Sequence, residues 1–177
     1  MRITVLAVAA AMAALAGTAV AQEPAARPDR AAVIKAAREV AEAARFCTFV
    51  TLGEDGQPQA RIIDVFPLEA DLTAWIGTRS DTRKVGQLRR DSRATLLCFD
   101  APSLAYVTLL GTAELVTDPA DKARHWKSEW KGYYADENRG PDYVLIRLRP
   151  ARVEVLSPGH GLYMGGGGMG PAILKLQ

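Results

Sequence analysis

From Asp29 onward the apolar positions change period several times, and each change marks an element. In "DRAAVIKAAREVAEAAR", Val33, Ala36, Ala37, Val40, Ala41 and Ala44 recur at three- and four-residue spacing. That spacing predicts a helix with a small-residue face, with Asp29 as its cap. The period then drops to two. "FCTFVTL" (46–52) and "QARIIDVFPL" (59–68) read as strands around the turn "GEDGQP" (53–58), a hairpin with a loop longer than two residues. "DLTAWIGT" (71–78) reads as a third strand. "SDTRKVGQLRRD" (80–91) reads as a short helix capped by Ser80 or Asp81. "RATLLCF" (93–99) is a fourth strand, and "LAYVTLLGTAELV" (104–116) a long fifth with Gly111 inside it as a candidate bulge. "DPADKARHWKSEWKGYY" (118–134) predicts an amphipathic helix with Asp118 as cap and Pro119 in its first turn. "DYVLIRLRPARVEVL" (142–156) is a sixth strand, bent near Pro150. Six strands in mostly antiparallel connection, with two or three peripheral helices, predict a mainly β (α+β) fold, a small barrel or closed sheet.

The chain ends read differently. "MRITVLAVAAAMAALAGTAVAQ" has one basic residue, an apolar run and then Ala19-Val20-Ala21. This is the pattern of a secretory signal cut after Ala21, so residues 1–21 are expected to be removed and the mature protein exported to the periplasm or beyond. The run is Ala-rich and ends in a good cleavage site, which speaks against an uncleaved membrane anchor. Residues 22–28 read as a linker, 29–157 as the folded domain, and 158–177 as a Gly-rich, flexible tail. The 177 residues carry a formal net charge of +2. It falls to +1 after cleavage, because Arg2 is the only charged residue in the signal. Neither nucleic acid nor a membrane surface is an expected partner.

Candidate chemistry is sparse. Cys47 and Cys98 are the two cysteines, each inside an apolar run. Cysteine is among the most buried residue types, so buried free thiols are expected, with a disulfide as the alternative in an oxidising compartment. His125 and His160 are the two histidines and have no metal-ligand spacing. His125 reads as a surface or capping residue. Trp126 and Trp130, four apart, read as packing residues of their helix. The stretch "WIGTRSDTRKVGQLRRD" stands out. Thr78, Ser80, Arg83 and Lys84 gather hydroxyls and cations where a strand passes into a helix. On its residues alone it is either a solvated helix start or a phosphate seat, with Arg61 of a neighbouring strand in reach.

The order of these features carries a resemblance. "GEDGQPQARIID", "DLTAWIGT", "SDTRKVGQLRRDSRATLLCF" and "YVTLLGTAELV" in series resemble the pyridoxamine 5'-phosphate oxidase-like superfamily of FMN-binding split barrels. "HWKSEWKGYYADENRGPDYVLIRLRPARVEV" resembles its general stress protein 26-like branch. The resemblance covers roughly residues 35–156. It implies a six-stranded antiparallel split β-barrel over 29–157, with FMN as cofactor. It also implies that Arg61, with Ile62, Ile63 and Asp64 following, opens the strand that runs along the flavin. Thr78, Arg83 and Lys84 would hold phosphate and ribityl chain, with Gly77 at a position often aromatic. Tyr106 would approach the flavin from the partner subunit, in a homodimer with flavin at its interface. The implied activity is that of an oxidoreductase on a small molecule, with no catalytic acid or base identifiable and no metal.

The sequence also departs from the family. Glu154-Val155-Leu156 replaces the branch's Glu-Tyr-Trp step, and the C-terminal residues that bind vitamin B6 phosphates are not found in order. A deazaflavin or haem is the alternative cofactor, with His160 as candidate haem ligand. The alternative functions are a non-catalytic protein that sequesters flavin or haem and a split barrel that has lost its cofactor.

Overall fold

A computed structural model describes residues 29–165 and 168–176. The segments read as signal and linker, 1–28, lie outside the described residues. Helix α1 (Arg30–Ala44) begins where the Asp29 carboxylate accepts hydrogen bonds from the N–H groups of Ala31 and Ala32. These are two of the donors that every helix start leaves unsatisfied. Val33, Ala36, Ala37, Val40 and Ala41 are buried, so the small-residue stripe lays the helix against the sheet; Ala44 is half-buried.

Strands β1 (Phe46–Leu52), β2 (Pro58–Asp64), β3 (Ala74–Arg79), β4 (Arg93–Asp100), β5 (Ala105–Val116) and β6 (Tyr143–Leu156) follow. Helix α2 (Arg83–Arg90) lies between β3 and β4, and α3 (Pro119–Arg124) between β5 and β6. Every pairing is antiparallel and the order is β2-β1-β4-β5-β6-β3. The path ends at β2 on one side and β3 on the other without closing, so the barrel is split between them. Strand residues alternate between its faces. Phe49, Leu96, Leu109 and Val153 occupy neighbouring inward positions on β1, β4, β5 and β6 and are all fully buried. The bulge expected at Gly111 is present: register shifts between Leu110 and Gly111. A Cβ on Gly111 would run into the Arg149 carbonyl and Pro150 of β6, so only glycine lets the two backbones approach there.

Four expectations are corrected. The cysteines form a Cys47–Cys98 disulfide and are not free thiols. The second edge of β1 pairs with β4, which sets Cys98 directly opposite Cys47 at a Cα separation of 4.4 Å. That separation is within bridging range, and both residues remain buried. The helix expected over 118–134 stops at Arg124, so Trp126 lies outside any helix and Trp130 ends a short 3-10 turn, Ser128–Trp130. There the backbone gives up helical hydrogen bonds so that the side chains can reach the aromatic cluster around Tyr143, and tertiary packing overrides local propensity. His125 does cap α3, its backbone N–H donating to the Asp121 carbonyl, but it is buried, not on the surface: its ring stacks on Trp75 at 4.3 Å and meets Phe66 edge-on at 5.2 Å.

The tail is the fourth case. Within it, β7 (Met164–Gly165) pairs with β8 (Gly168–Met169), and β9 (Ala172–Lys175) pairs with β6 at Arg152–Val155. Far from hanging free, β9 is the seventh strand of the main sheet. It buries Ala172 and packs Leu174 on the core, and that burial outweighs the flexibility its glycines suggest.

Candidate functional site

A cavity of about 570 Å³ opens at the split in the barrel. β2 brings Ile63 and Asp64 to it, β3 brings Gly77, Thr78 and Arg79, and the start of α2 brings Thr82 and Lys84. The segment after α3 closes one side with Trp130, Tyr133 and Tyr134. The backbone at Gly77 explains how that wall fits. A Cβ there would come within 2.5 Å of the Trp130 ring and 2.6 Å of the Tyr143 hydroxyl, so glycine leaves the space the indole fills.

The polar end of the cavity is cationic. Thr82, not Ser80 or Asp81, is the N-cap of α2, and its side chain makes no capping hydrogen bond. Its hydroxyl instead donates to the Arg79 carbonyl at 3.0 Å and lies 3.5 Å from the Thr78 hydroxyl. The first turn of the helix therefore presents uncapped N–H groups, the positive end of its dipole. Among the described residues, neither Arg83 nor Lys84 finds a side-chain hydrogen bond or ion pair. Burial, and then the Arg61 guanidinium, push the Lys84 ammonium below its usual range.

Arg61 is differently employed. It donates to the Phe49 carbonyl (3.2 Å), the Thr51 hydroxyl (2.7 Å) and the Gln87 side-chain oxygen (2.9 Å), and Gln87 in turn donates to Gln59 at 2.7 Å. This network ties the β1–β2 hairpin to α2. Burial and neighbouring Arg83 lower the Arg61 pKa. Arg61 thus meets like charge from both Arg83 and Lys84, none of the three forms an ion pair with a carboxylate among the described residues, and a bound anion would relieve that repulsion. The nearby acids are committed elsewhere. Asp81 pairs with Arg79 at 3.0 Å, and Asp64 pairs with Lys127 at 2.7 Å and Arg45 at 3.7 Å.

Of the residues singled out from the sequence, Ile63, Asp64, Gly77, Thr78 and Lys84 line one cavity. Arg83 lies just beyond Thr82, in an adjoining groove of about 550 Å³ that Thr82 also borders. Arg61 lines neither and braces the seat from its network. Ile62 and Tyr106 do not reach this chain's cavity. Ile62 follows Arg61 on the strand, so it faces outward and is 68% exposed, level with Thr48 and Leu97. Tyr106 is half-buried on the same outward face between Phe99 and Leu156. The aromatic wall was missed because its segment reads as helix; its trace in the sequence is the density of rings in "HWKSEWKGYY". His160 is held at both ring nitrogens, by the Ser157 hydroxyl at 2.8 Å and by Glu39 at 2.7 Å. Neither nitrogen is left to ligate haem.

Fold and site together define a split β-barrel with a cationic cavity at its split. A sequence model described as pyridoxamine 5'-phosphate oxidase matches residues 33–157, and the chain belongs to that family. General stress protein 26 of Bacillus anthracis shares the fold: TM-score 0.65 and 17% identity over 81% of this chain and 98% of that one. So does a general stress protein 26-related protein of Clostridium acetobutylicum, with TM-score 0.66 and 21% identity over 81% and 94%. A haem-binding protein of Mycobacterium smegmatis is 25% identical with TM-score 0.61, over 84% of this chain and 59% of that one. No curated protein matches the chain.

Proposed function

We propose that the protein is an exported, homodimeric flavoprotein that binds FMN, or the FMN portion of a longer flavin, at the split and acts as an oxidoreductase on a small molecule. The observation that carries this reading is the unpartnered Arg83–Lys84 pair at the uncapped start of α2. A phosphate monoester suits that donor set: one guanidinium, one ammonium, the hydroxyls of Thr78 and Thr82, and helix N–H groups. Ile63, Gly77 and Trp130 supply the apolar walls that a planar ring system requires. A bound flavin supplies hydride or electron transfer; the chain binds it, orients it and excludes water. The buried disulfide fits an oxidising compartment, in keeping with export.

Dimerisation would use the outward sheet face, where Ile62, Leu97 and Phe99 are exposed together. It would bring the partner's copy of the Tyr106 face toward the cavity. A second reading is a haem- or flavin-sequestering protein without turnover. Similarity to the Mycobacterium smegmatis haem-binding protein favours it, and the engagement of His160 weighs against haem.

The phosphate seat is tested by comparing FMN with riboflavin, which lacks only the phosphate. FMN should bind at least a hundredfold more tightly in a fluorescence titration. Equal affinities would remove the phosphate from the account.

A further inference from the structure

We propose that His125 is a proton-operated catch on the aromatic wall of the cavity: the neutral imidazole holds residues 126–134 against the barrel, and its protonation releases them and opens the site. Only the consequence for ligand binding rests on the flavin reading above. The opening is a property of the wall itself.

The wall is fastened by side chains. The backbone N–H groups of Trp130, Lys131 and Tyr133 donate to Lys127, Ser128 and Trp130, inside the same stretch. Among the described residues, no backbone hydrogen bond joins 126–134 to a strand. A segment held this way belongs to the low-stability end of a structure. Its attachments are few. The Tyr143 hydroxyl donates to the His125 carbonyl. Lys127 donates to Asp64 at 2.7 Å, and Arg79 donates to the Tyr133 carbonyl at 3.3 Å. Phe66 meets Trp130 edge-on at 5.6 Å and His125 edge-on at 5.2 Å, so the cavity-lining indole and the imidazole share one support.

His125 stands at the root of the segment, as the C-cap of α3. Its Nδ1 lies 3.0 Å from the Asp121 carbonyl oxygen. That oxygen can only accept, so the neutral ring carries its proton on Nδ1. A second proton must enter at Nε2, which has no hydrogen-bond partner among the described residues. The ring is buried between Trp75 and Phe66, where a charge without a partner is costly. The surrounding rings already hold cations: Arg147 lies over Trp75 at 5.3 Å and Lys127 over Phe66 at 4.9 Å. The facing carboxylates are engaged, Asp121 with Arg124 at 3.4 Å and Glu69 with the Trp75 indole N–H at 2.8 Å. Burial is the largest influence on His125 and disfavours its charged form, with Arg124 acting in the same sense and Asp121 and Glu69 against it. An imidazolium is therefore driven toward water, and the chain that leaves with it is the root of the wall.

All three tryptophans, Trp75, Trp126 and Trp130, belong to this cluster, so their fluorescence reads the wall with no ligand present. The test follows tryptophan emission and its quenching by acrylamide in the mature protein from about pH 7.5 to about pH 5. The wild type should show a red shift and stronger quenching with one midpoint below about 6.5, while far-ultraviolet circular dichroism stays constant. His125→Phe keeps a ring on Trp75, His125→Asn keeps a donor for the Asp121 carbonyl, and neither takes up the proton. Both should abolish the transition, with their folding checked by circular dichroism. His160→Gln, which alters the other histidine, should keep it. A transition that survives in the His125 variants or vanishes in His160→Gln overturns the proposal. So does a wild type without a transition, or one that loses circular dichroism at the same midpoint, which is unfolding of the whole barrel. FMN affinity should fall about tenfold further over this range in the wild type than in His125→Phe. Comparing the two proteins cancels the titration of the FMN phosphate itself, near pH 6. Equal falls would break the link between wall and site and overturn the proposal. If FMN bound at no pH while the tryptophan transition held, the flavin reading alone would fall.

Discussion

Cys47 and Cys98 concentrate much of the stability in two side chains. The bridge closes a loop of 51 residues, and chain-entropy arguments assign such a loop about 4 kcal/mol. Cys47→Ala/Cys98→Ala should therefore lower the unfolding free energy by roughly 3–4 kcal/mol, read from urea midpoints. A loss below about 1 kcal/mol would mean that the bridge does not restrain the unfolded chain as proposed. The alternation of buried residues around each cysteine was legible in the sequence, as was the bulge at Gly111. The pairing was not, because it depends on β1 having β4 as its second neighbour, across three intervening elements. The same limit applies to Arg61: its basic character was visible, but its bracing role requires knowing that Thr51 and Gln87 meet it.

The element that sequence patterning described least well is the segment following α3. Its ring spacing imitates a helix, yet the rings satisfy a three-dimensional cluster. Trp126 meets Tyr143 and Tyr134 edge-on at 5.3 and 5.6 Å, and Trp130 meets Phe66 at 5.6 Å. Lys127 closes the segment over β2, with its ammonium on Asp64 and above the Phe66 ring. His125 lies beneath, and burial dominates in lowering its pKa, with Arg124 adding to the effect while the Asp121 carbonyl and the Asp121 and Glu69 carboxylates oppose it. A histidine whose folded pKa is depressed binds fewer protons folded than unfolded, so stability rises with pH across its titration. The protein should lose stability as pH falls below the histidine's unfolded pKa of about 6.5 and on through its lower folded value. His125→Asn should flatten that slope in urea titrations at a series of pH values. An unchanged slope would place the titrating group elsewhere. α2, by contrast, was nearly legible: its span and cations were read correctly, and only the cap moved, from Ser80 or Asp81 to Thr82.

Taken as one body, the barrel is finished on its inner face and unfinished on its outer one. Ile62, Leu97, Phe99 and Ile173 are 68%, 37%, 52% and 49% exposed, on one face of the sheet, with Thr48, Thr108 and Glu154 between them in the cross-strand row. Large apolar side chains exposed together on one face suit an interaction surface, and a two-fold pair would cover this one with itself. Leu97→Glu/Phe99→Glu should turn a dimer into a monomer in light scattering and weaken FMN at least tenfold, because each site would draw on the partner's face. A wild type that is monomeric and binds FMN fully would refute the shared site. The sheet's strands were largely readable from period-two patterning. The β9 strand was hidden by glycines around a four-residue run, too short to carry a period.

Arg83 and Lys84 carry the flavin site. FMN affinity should be measured by fluorescence quenching for the mature protein and for Arg83→Ala/Lys84→Ala, with folding of the variant checked by its urea midpoint. The seat described here predicts saturable one-to-one binding by the wild type and a loss of at least a hundredfold in the variant. Equal FMN affinity in a folded variant would contradict it, and the stretch from Thr78 to Lys84 would then be a solvated helix start.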